Sequence, residues 1–240
     1  MADIVHVEGL TKDYGHNRGV FDLTFSVAPG EVLGFLGANG AGKTVTLRTL
    51  MGFIRADQGC ARIAGLDCFA HRDRIQRTLG YLPGELALPP HMTADAFLRF
   101  QAQVRELHDL GRIQRLIEFF ELDSSMRIGS MSKGNKQKVG IVCAFFHTPD
   151  VLLLDEPTTG LDLLMQRRFV ELVQAERARG ATVLMSSHLL GEVERLCDRV
   201  LFIRHGRRIM ECKPAELTMD GALVNLYGED ALAGTWHDAS

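Results

Sequence analysis

Short blocks of alternating or uniformly apolar residues occupy both ends of the chain, and a long stretch of helical spacing separates them. Residues 4–10 and 20–27 alternate or run apolar between polar breaks, which predicts two strands of an N-terminal sheet. Residues 31–36 read as a short buried strand, 45–51 as the first turns of a helix and 59–63 as another strand. A short charged helix over 73–78 leads into a further apolar run at 79–82. The character changes at Pro83-Gly84 and again at Pro89-Pro90. From 93 to 122 the apolar positions Phe97, Phe100, Val104, Ile113, Leu116, Ile117 and Phe120 recur at helical spacing. An interruption over 107–111 divides that stretch into at least two helices. Residues 151–154 form a continuous apolar run, the pattern of a strand covered on both faces in a parallel sheet. A helix over 169–179 stopped by Gly180, a strand over 182–185 and a helix over 189–196 follow. Runs at 200–203 and 208–210 predict a closing pair of strands, and the tail from Pro214 carries only a weak helical stretch. The chain therefore consists of two α/β parts flanking an all-helical insertion.

Composition narrows the class. With 240 residues, 46% of them apolar and 24% charged, the chain has the balance of a globular protein with a sizeable core. A net charge of −3 gives no reason to expect nucleic acid as a partner. The local arginine groups, Arg72, Arg74, Arg77 and Arg204, Arg207, Arg208, are mixed with acidic residues and read as solvated faces. Cys60, Cys68, Cys143, Cys197 and Cys212 form no C-x-x-C pair and no Cys/His ligand spacing, which favours reduced thiols in a cytosol over a disulfide framework. The N-terminus lacks a basic-then-apolar leader, and no run approaches the roughly 18 apolar residues of a membrane span. If such a chain serves a membrane, the expectation is that it does so through a partner.

Chemistry is concentrated in one octet, Gly37-Ala38-Asn39-Gly40-Ala41-Gly42-Lys43-Thr44, a complete phosphate-binding loop between the predicted strand at 31–36 and the helix from Val45. The glycines let backbone N–H groups turn inward and approach phosphates closely. Lys43 supplies a point charge toward the β- and γ-phosphates, and the Thr44 hydroxyl is placed to ligate Mg²⁺. The helix N-terminus completes an anion site. The substrate class is a nucleoside triphosphate. Asp155-Glu156 closes the apolar run at 151–154. Taken alone, an acidic pair after a strand reads as a helix N-cap; downstream of Lys43 and Thr44 it supplies a metal ligand in Asp155 and a general base in Glu156.

Asp155-Glu156-Pro157-Thr158-Thr159-Gly160-Leu161-Asp162 resembles the strand and following loop of ATP-binding cassette (ABC) ATPases. Met131-Ser132-Lys133-Gly134-Asn135-Lys136-Gln137-Lys138 resembles that family's signature, Ser186-Ser187-His188 its switch histidine, and Tyr14 its adenine-stacking aromatic. The motifs follow the family's order over about residues 4 to 210. The resemblance implies an α/β fold: a phosphate-loop nucleotidase core, a mixed sheet flanked by helices, with an N-terminal antiparallel β part and an inserted α-helical subdomain. It suggests a core over 1–84 and 133–213, a helical subdomain over 85–132 and a tail over 214–240. ATP and Mg²⁺ are the implied ligands. The nucleotide would be held by residues from Gly37 to Val45 with Tyr14 against the base. Ser132, Lys133, Gly134 and Asn135 would meet the ATP of an opposed copy, with Asp162 and His188 completing the γ-phosphate site across the interface. A homodimer or a paired second cassette is thus implied.

Five positions depart from the family's pattern. The family's Gln after Tyr-x-Pro is Gly84 here, leaving Glu85 as a candidate metal ligand in its place. Lys133 and Asn135 replace Gly and Gln in the signature, and Val45 removes a hydroxyl near the α-phosphate. Leu163 stands where Pro is common. Lys43, Asp155, Glu156 and His188 are all kept, so hydrolysis is expected. The details resemble the ABC-2 type drug or antibiotic exporter branch, which implies a separately encoded permease docked near 84–92. The expected location is cytoplasmic, peripheral on the inner face of the membrane. The alternatives are a soluble ABC ATPase acting on ribosomes or DNA, and an ATP-gated regulatory module with weak hydrolysis.

Overall fold

The computed structural model describes residues 3–217 and Gly221. At the N-terminus, strand β1 (Val5–Asp13) buries Val5 and Val7 while His6 and Glu8 point the other way, the period of a half-covered strand. It pairs antiparallel with β2 (Gly19–Val27) on one side and with β4 (Gln58–Ile63) on the other. A two-residue strand, β5 (Leu66–Asp67), closes this four-stranded sheet in the order β2-β1-β4-β5.

The second sheet comprises β3 (Val32–Leu36), β6 (Leu79–Leu82), β7 (Val151–Asp155), β8 (Thr182–Ser187), β9 (Arg199–Arg204) and β10 (Arg207–Cys212), in the order β10-β9-β3-β8-β7-β6. Every neighbouring pair is parallel except β9 and β10. Its central strands are buried throughout because each faces a different core on either side. Leu33, Phe35, Val151, Leu153 and Leu184 join a core shared with the N-terminal sheet and helix α1 (Lys43–Leu50). Val32, Leu36, Leu152, Leu154, Val183 and Met185 join a second core with the helices of the insertion.

Helix α2 (Arg72–Thr78) leads into β6. The insertion contains α3 (Ala94–Val104), capped by the Thr93 hydroxyl accepting from Ala96 N at 3.2 Å, and α4 (Gly111–Phe119), which begins at the predicted interruption. Helix α5 (Lys133–Phe145) buries Val139, Ile141, Val142 and Phe145 in the same core. Then come α6 (Leu163–Ala178) and α7 (Leu190–Leu196).

The structure moves several sequence boundaries. Helix α6 starts at Leu163 rather than 169, because Asp162 caps it; Met165 is buried in period with Phe169, but the exposed Leu163 and Leu164 beside it blur the apolar stripe. The body of α5 and the short β5 gave no periodic signal either; α5 is buried on most sides, and β5 has only two residues. Of the 214–240 tail, 218–220 and 222–240 lie outside the described residues; Pro214–Glu216 is a single 3₁₀ turn.

Candidate active site

Three loops leave the carboxyl ends of adjacent parallel strands on one edge of the second sheet, where open α/β sheets place their ligands. β3 runs into the glycine octet, β7 ends in Asp155 followed by Glu156, and β8 ends in Ser187 followed by His188. Register brings them level: Leu36 is opposite Ser187, and Asp155 opposite Ser186.

The octet wraps the start of α1. Gly40 and Gly42 have φ of 81° and 108°, and a side chain at Gly42 would meet the Gly19 carbonyl at 3.0 Å. Lys43, only 6% exposed, donates from Nζ to the Gly37 carbonyl and at 3.5 Å to that of Ala38. It stands 3.2 Å from Glu156 Oε1. The Thr44 hydroxyl donates to Asp155 Oδ2 at 2.7 Å, joining the two sequence-predicted metal ligands directly.

Asp155 is 2% exposed, and its other oxygen accepts from Ser186 Oγ at 2.6 Å. Glu156 adopts φ of 50°, a left-handed conformation that costs a non-glycine residue about 1 kcal/mol or more. Its N–H donates to Ser186 Oγ at 2.9 Å and to the Ser186 carbonyl at 3.3 Å, so β8 fixes this turn. Its Oε2 lies 2.6 Å from His188 Nδ1, while Oε1 is buried without a hydrogen-bond donor. The turn leaves a carboxylate oxygen with spare accepting capacity beside the Lys43 ammonium.

An open cleft of about 300 Å³ lies over these groups, lined by the octet from Ala38 onward, Val45, Asp155, Glu156, Tyr14, Arg18 and Gly19. Tyr14 sits at its rim, half-exposed, with Lys12 Nζ 5.6 Å above its ring. Burial, then the nearby Asp155 charge, push the Tyr81 phenol above its ordinary range. The donor set fits Mg²⁺ and a polyphosphate: a hydroxyl and a carboxylate oxygen already in contact, a buried cation and a glycine cradle.

The remaining predicted residues lie away from this cleft. The Ser132 hydroxyl caps α5 by accepting from Asn135 N at 3.3 Å, and none of Ser132, Lys133, Gly134 and Asn135 lines the cleft. Asp162, exposed, accepts from Met165 N at 2.9 Å as the cap of α6. Glu85 is exposed and makes no hydrogen bond or ion pair among the described residues. Gly84 is the residue against Asp155: a Cβ there would lie 3.3 Å from Asp155 Oδ2.

Sequence reasoning missed the supports. Ser186 holds both Asp155 and Glu156; Gln137 on α5 donates to the Pro157 carbonyl at 2.7 Å; and Glu192 accepts from Thr158 Oγ1 and, at 2.9 Å, from Ser187 Oγ. Ser186, Ser187, Gln137 and Thr158 lay within the quoted motifs without a role, and nothing in the sequence pointed to Glu192.

Residues 20–159 match the family profile described as ABC transporter. A Nod factor export ATP-binding protein I of Ralstonia nicotianae is 35% identical over 95% of this chain and 73% of its own length. The bacitracin transport ATP-binding protein BcrA of Bacillus licheniformis is 35% identical over 88% of this chain and 70% of its length, and the ABC transporter ATP-binding protein NatA of Bacillus subtilis 37% over 88% and 84%. Among solved structures, an ATP-binding subunit of an ABC transporter superposes with a TM-score of 0.83 at 29% identity, covering 92% of this chain and 98% of the other. A dimeric ATP-binding cassette in a post-hydrolysis state with ADP and Pi shares the fold, with a TM-score of 0.76 at 21% identity, over 88% and 98%.

Proposed function

The chain belongs to the ABC transporter family, an ATPase that uses ATP and Mg²⁺, and from that membership we propose that it powers a separately encoded permease by closing as a dimer around two ATP molecules. The observation that carries the mechanism is the convergence of Lys43, Glu156 and the Thr44–Asp155 pair on one cleft, with His188 bonded to Glu156 from beyond its lining.

In this reading the backbone of the octet and Lys43 bind the β- and γ-phosphates, and Tyr14 stacks on the base. Thr44 and Asp155 would hold Mg²⁺, which supplies charge neutralisation on the phosphate oxygens. Glu156 accepts the proton of the attacking water at Oε1, which makes no hydrogen bond and is paired at 3.2 Å with Lys43, whose ammonium the incoming phosphates would draw away. His188, bonded to Oε2, keeps that carboxylate oriented and offers its other ring nitrogen toward the γ-phosphate. Ser132, Lys133, Gly134, Asn135 and Asp162 line no part of this chain's own cleft, which supports their serving the site of an opposed copy. Glu85 is left without a site partner, and Gly84 beside Asp155 offers no ligand atom from its side chain, so Thr44 and Asp155 are the residues that would hold the ion.

The likeness to antibiotic and Nod factor export subunits supports export of a drug, antibiotic or lipid-like compound. No helix among the described residues is long and apolar enough to cross a membrane, and docking near 84–92 on a permease would hold the chain at the inner face. Residues 1–84 and 133–213 would act as the core and 85–132 as the coupling unit.

Purified wild type should hydrolyse ATP. Glu156→Gln should lose at least about a hundredfold in rate, keep ATP binding, and elute as an ATP-bound dimer on size-exclusion chromatography. A mutant that hydrolyses normally would remove Glu156 from the role of base, and one that binds ATP but stays monomeric would remove the two-copy closure.

A further inference from the structure

The outer face of the N-terminal sheet carries a second group of ligand-type side chains, far from any described role. His6 and Glu8 stand two residues apart on β1 and so share its outward face. Cys60 on β4 is directly opposite Glu8, and it too faces outward. One ligand atom from each, an imidazole nitrogen, a carboxylate oxygen and a thiol sulfur, lies within 4.8 Å of the other two, and His6 Nε2 is already 3.7 Å from Glu8 Oε2.

The strands beneath them approach closely, at an irregularity in the pairing of β1 just after Glu8. Gly9 and Gly59, the residues flanking Glu8 and Cys60, both have positive φ, and the strands are packed so closely that a Cβ on Gly59 would meet the Gly9 carbonyl at 2.3 Å. Ligands mounted on two paired strands are better pre-organised than ligands on loops. The other cysteine of this sheet region does not compete: Cys68 bonds through its N–H to the Ala61 carbonyl and is buried toward the core.

We propose that His6, Glu8 and Cys60 form a surface site for a borderline-soft divalent transition ion, zinc foremost, which ties strand β1 to strand β4. The mixed sulfur, nitrogen and oxygen set is one that Zn²⁺ accepts and that Mg²⁺ and Ca²⁺ do not. Tetrahedral zinc places its ligand atoms roughly 3.5 Å apart, so side-chain rotation of about an ångström closes the triad. Water takes the fourth position, since the site is open. The neighbouring charge is Arg62, opposite His6 on β4. Its repulsion is offset by the thiolate and carboxylate, whose two negative charges balance the ion. Proton release from Cys60 accompanies binding, so affinity rises with pH.

Titration of the reduced, nucleotide-free full chain with Co²⁺ tests this, because a thiolate-to-cobalt charge-transfer band can arise only where sulfur binds, and the ATP cleft has no cysteine. The expected result is a band that saturates at one equivalent and is bleached by Zn²⁺. It should be absent in Cys60→Ser, and the midpoint should weaken about tenfold or more in His6→Ala and in Glu8→Ala. Zinc should raise the melting temperature of the wild type and not of Cys60→Ser. All three variants should keep basal ATPase activity, which verifies their fold. Absence of the band, its survival in Cys60→Ser, or an unchanged midpoint in both His6→Ala and Glu8→Ala would overturn the site.

Discussion

Glu156 and Asp155 are adjacent carboxylates with different surroundings, and that difference supports the division of work proposed for them. Asp155 is enclosed and doubly bonded, by Thr44 and Ser186, as suits a group that holds a cation still. Glu156 is turned out of the strand by its left-handed backbone and keeps one oxygen without a hydrogen bond, beside the Lys43 ammonium, in keeping with the proposed role of base. Ser186 supports both. Ser186→Ala removes the bond to Asp155 Oδ1 and one of the two bonds from Glu156 N. We expect roughly tenfold lower turnover and a higher Mg²⁺ requirement, with ATP binding in the absence of metal little changed. Steady-state rates across a Mg²⁺ series check this; rates and Mg²⁺ requirement equal to wild type would show that the backbone alone holds the turn.

Elements are joined by a small number of polar contacts, and the one between α4 and α6 matters most. Glu176 on α6 is 3% exposed; it accepts from Arg112 on α4 and, at 3.0 Å, from Arg179. Arg112 also donates to the Phe145 carbonyl at the end of α5 at 3.1 Å. Glu176→Ala therefore leaves guanidinium groups partly buried without their carboxylate. The expected cost is about 3 kcal/mol. A chain of this size would lose several degrees of melting temperature per kcal/mol on the order of 2–4 °C each. Calorimetry would check it, and a loss under 1 °C would mean that water replaces the carboxylate. This same contact shows where sequence reading stops at the element scale. The amphipathic period of α4 was visible in Ile113, Leu116 and Ile117, whereas the stripe of Phe169, Leu172 and Val173 in α6 runs on to position 176 but does not say what satisfies an acidic residue there, which takes Arg112 from another helix.

At the scale of the whole molecule, acid stability depends on His147, which sits between α5 and β7 with Nε2 donating to the Leu79 carbonyl at 3.2 Å. Burial, with the Arg105 and Arg112 charges adding to it, pushes its pKa down from 6.5 to about 4. The fold thus prefers the neutral ring. Its contribution is fully present above about pH 6.5 and is lost as pH falls toward 4, to a total of about 3 kcal/mol. Urea unfolding at a series of pH values should show this loss, and His147→Gln should flatten it; an unchanged slope would place the acid sensitivity elsewhere. The ordered motifs were legible in the sequence because their chemistry is local: glycines that admit phosphates, a lysine and a threonine beside them, carboxylates at the end of an apolar run. So were the two α/β parts and the helical insertion, since hydrophobic period depends only on which face is buried. Tertiary structure alone decided the rest. Strand order brought β3, β8 and β7 side by side and made Ser186 the shared support, and it kept the signature residues out of the chain's own cleft. It also set Cys60 against Glu8, two positions that no local pattern connects. Contacts between residues far apart in sequence arise from pairing and packing of whole elements, and that information is not carried by any window of the chain.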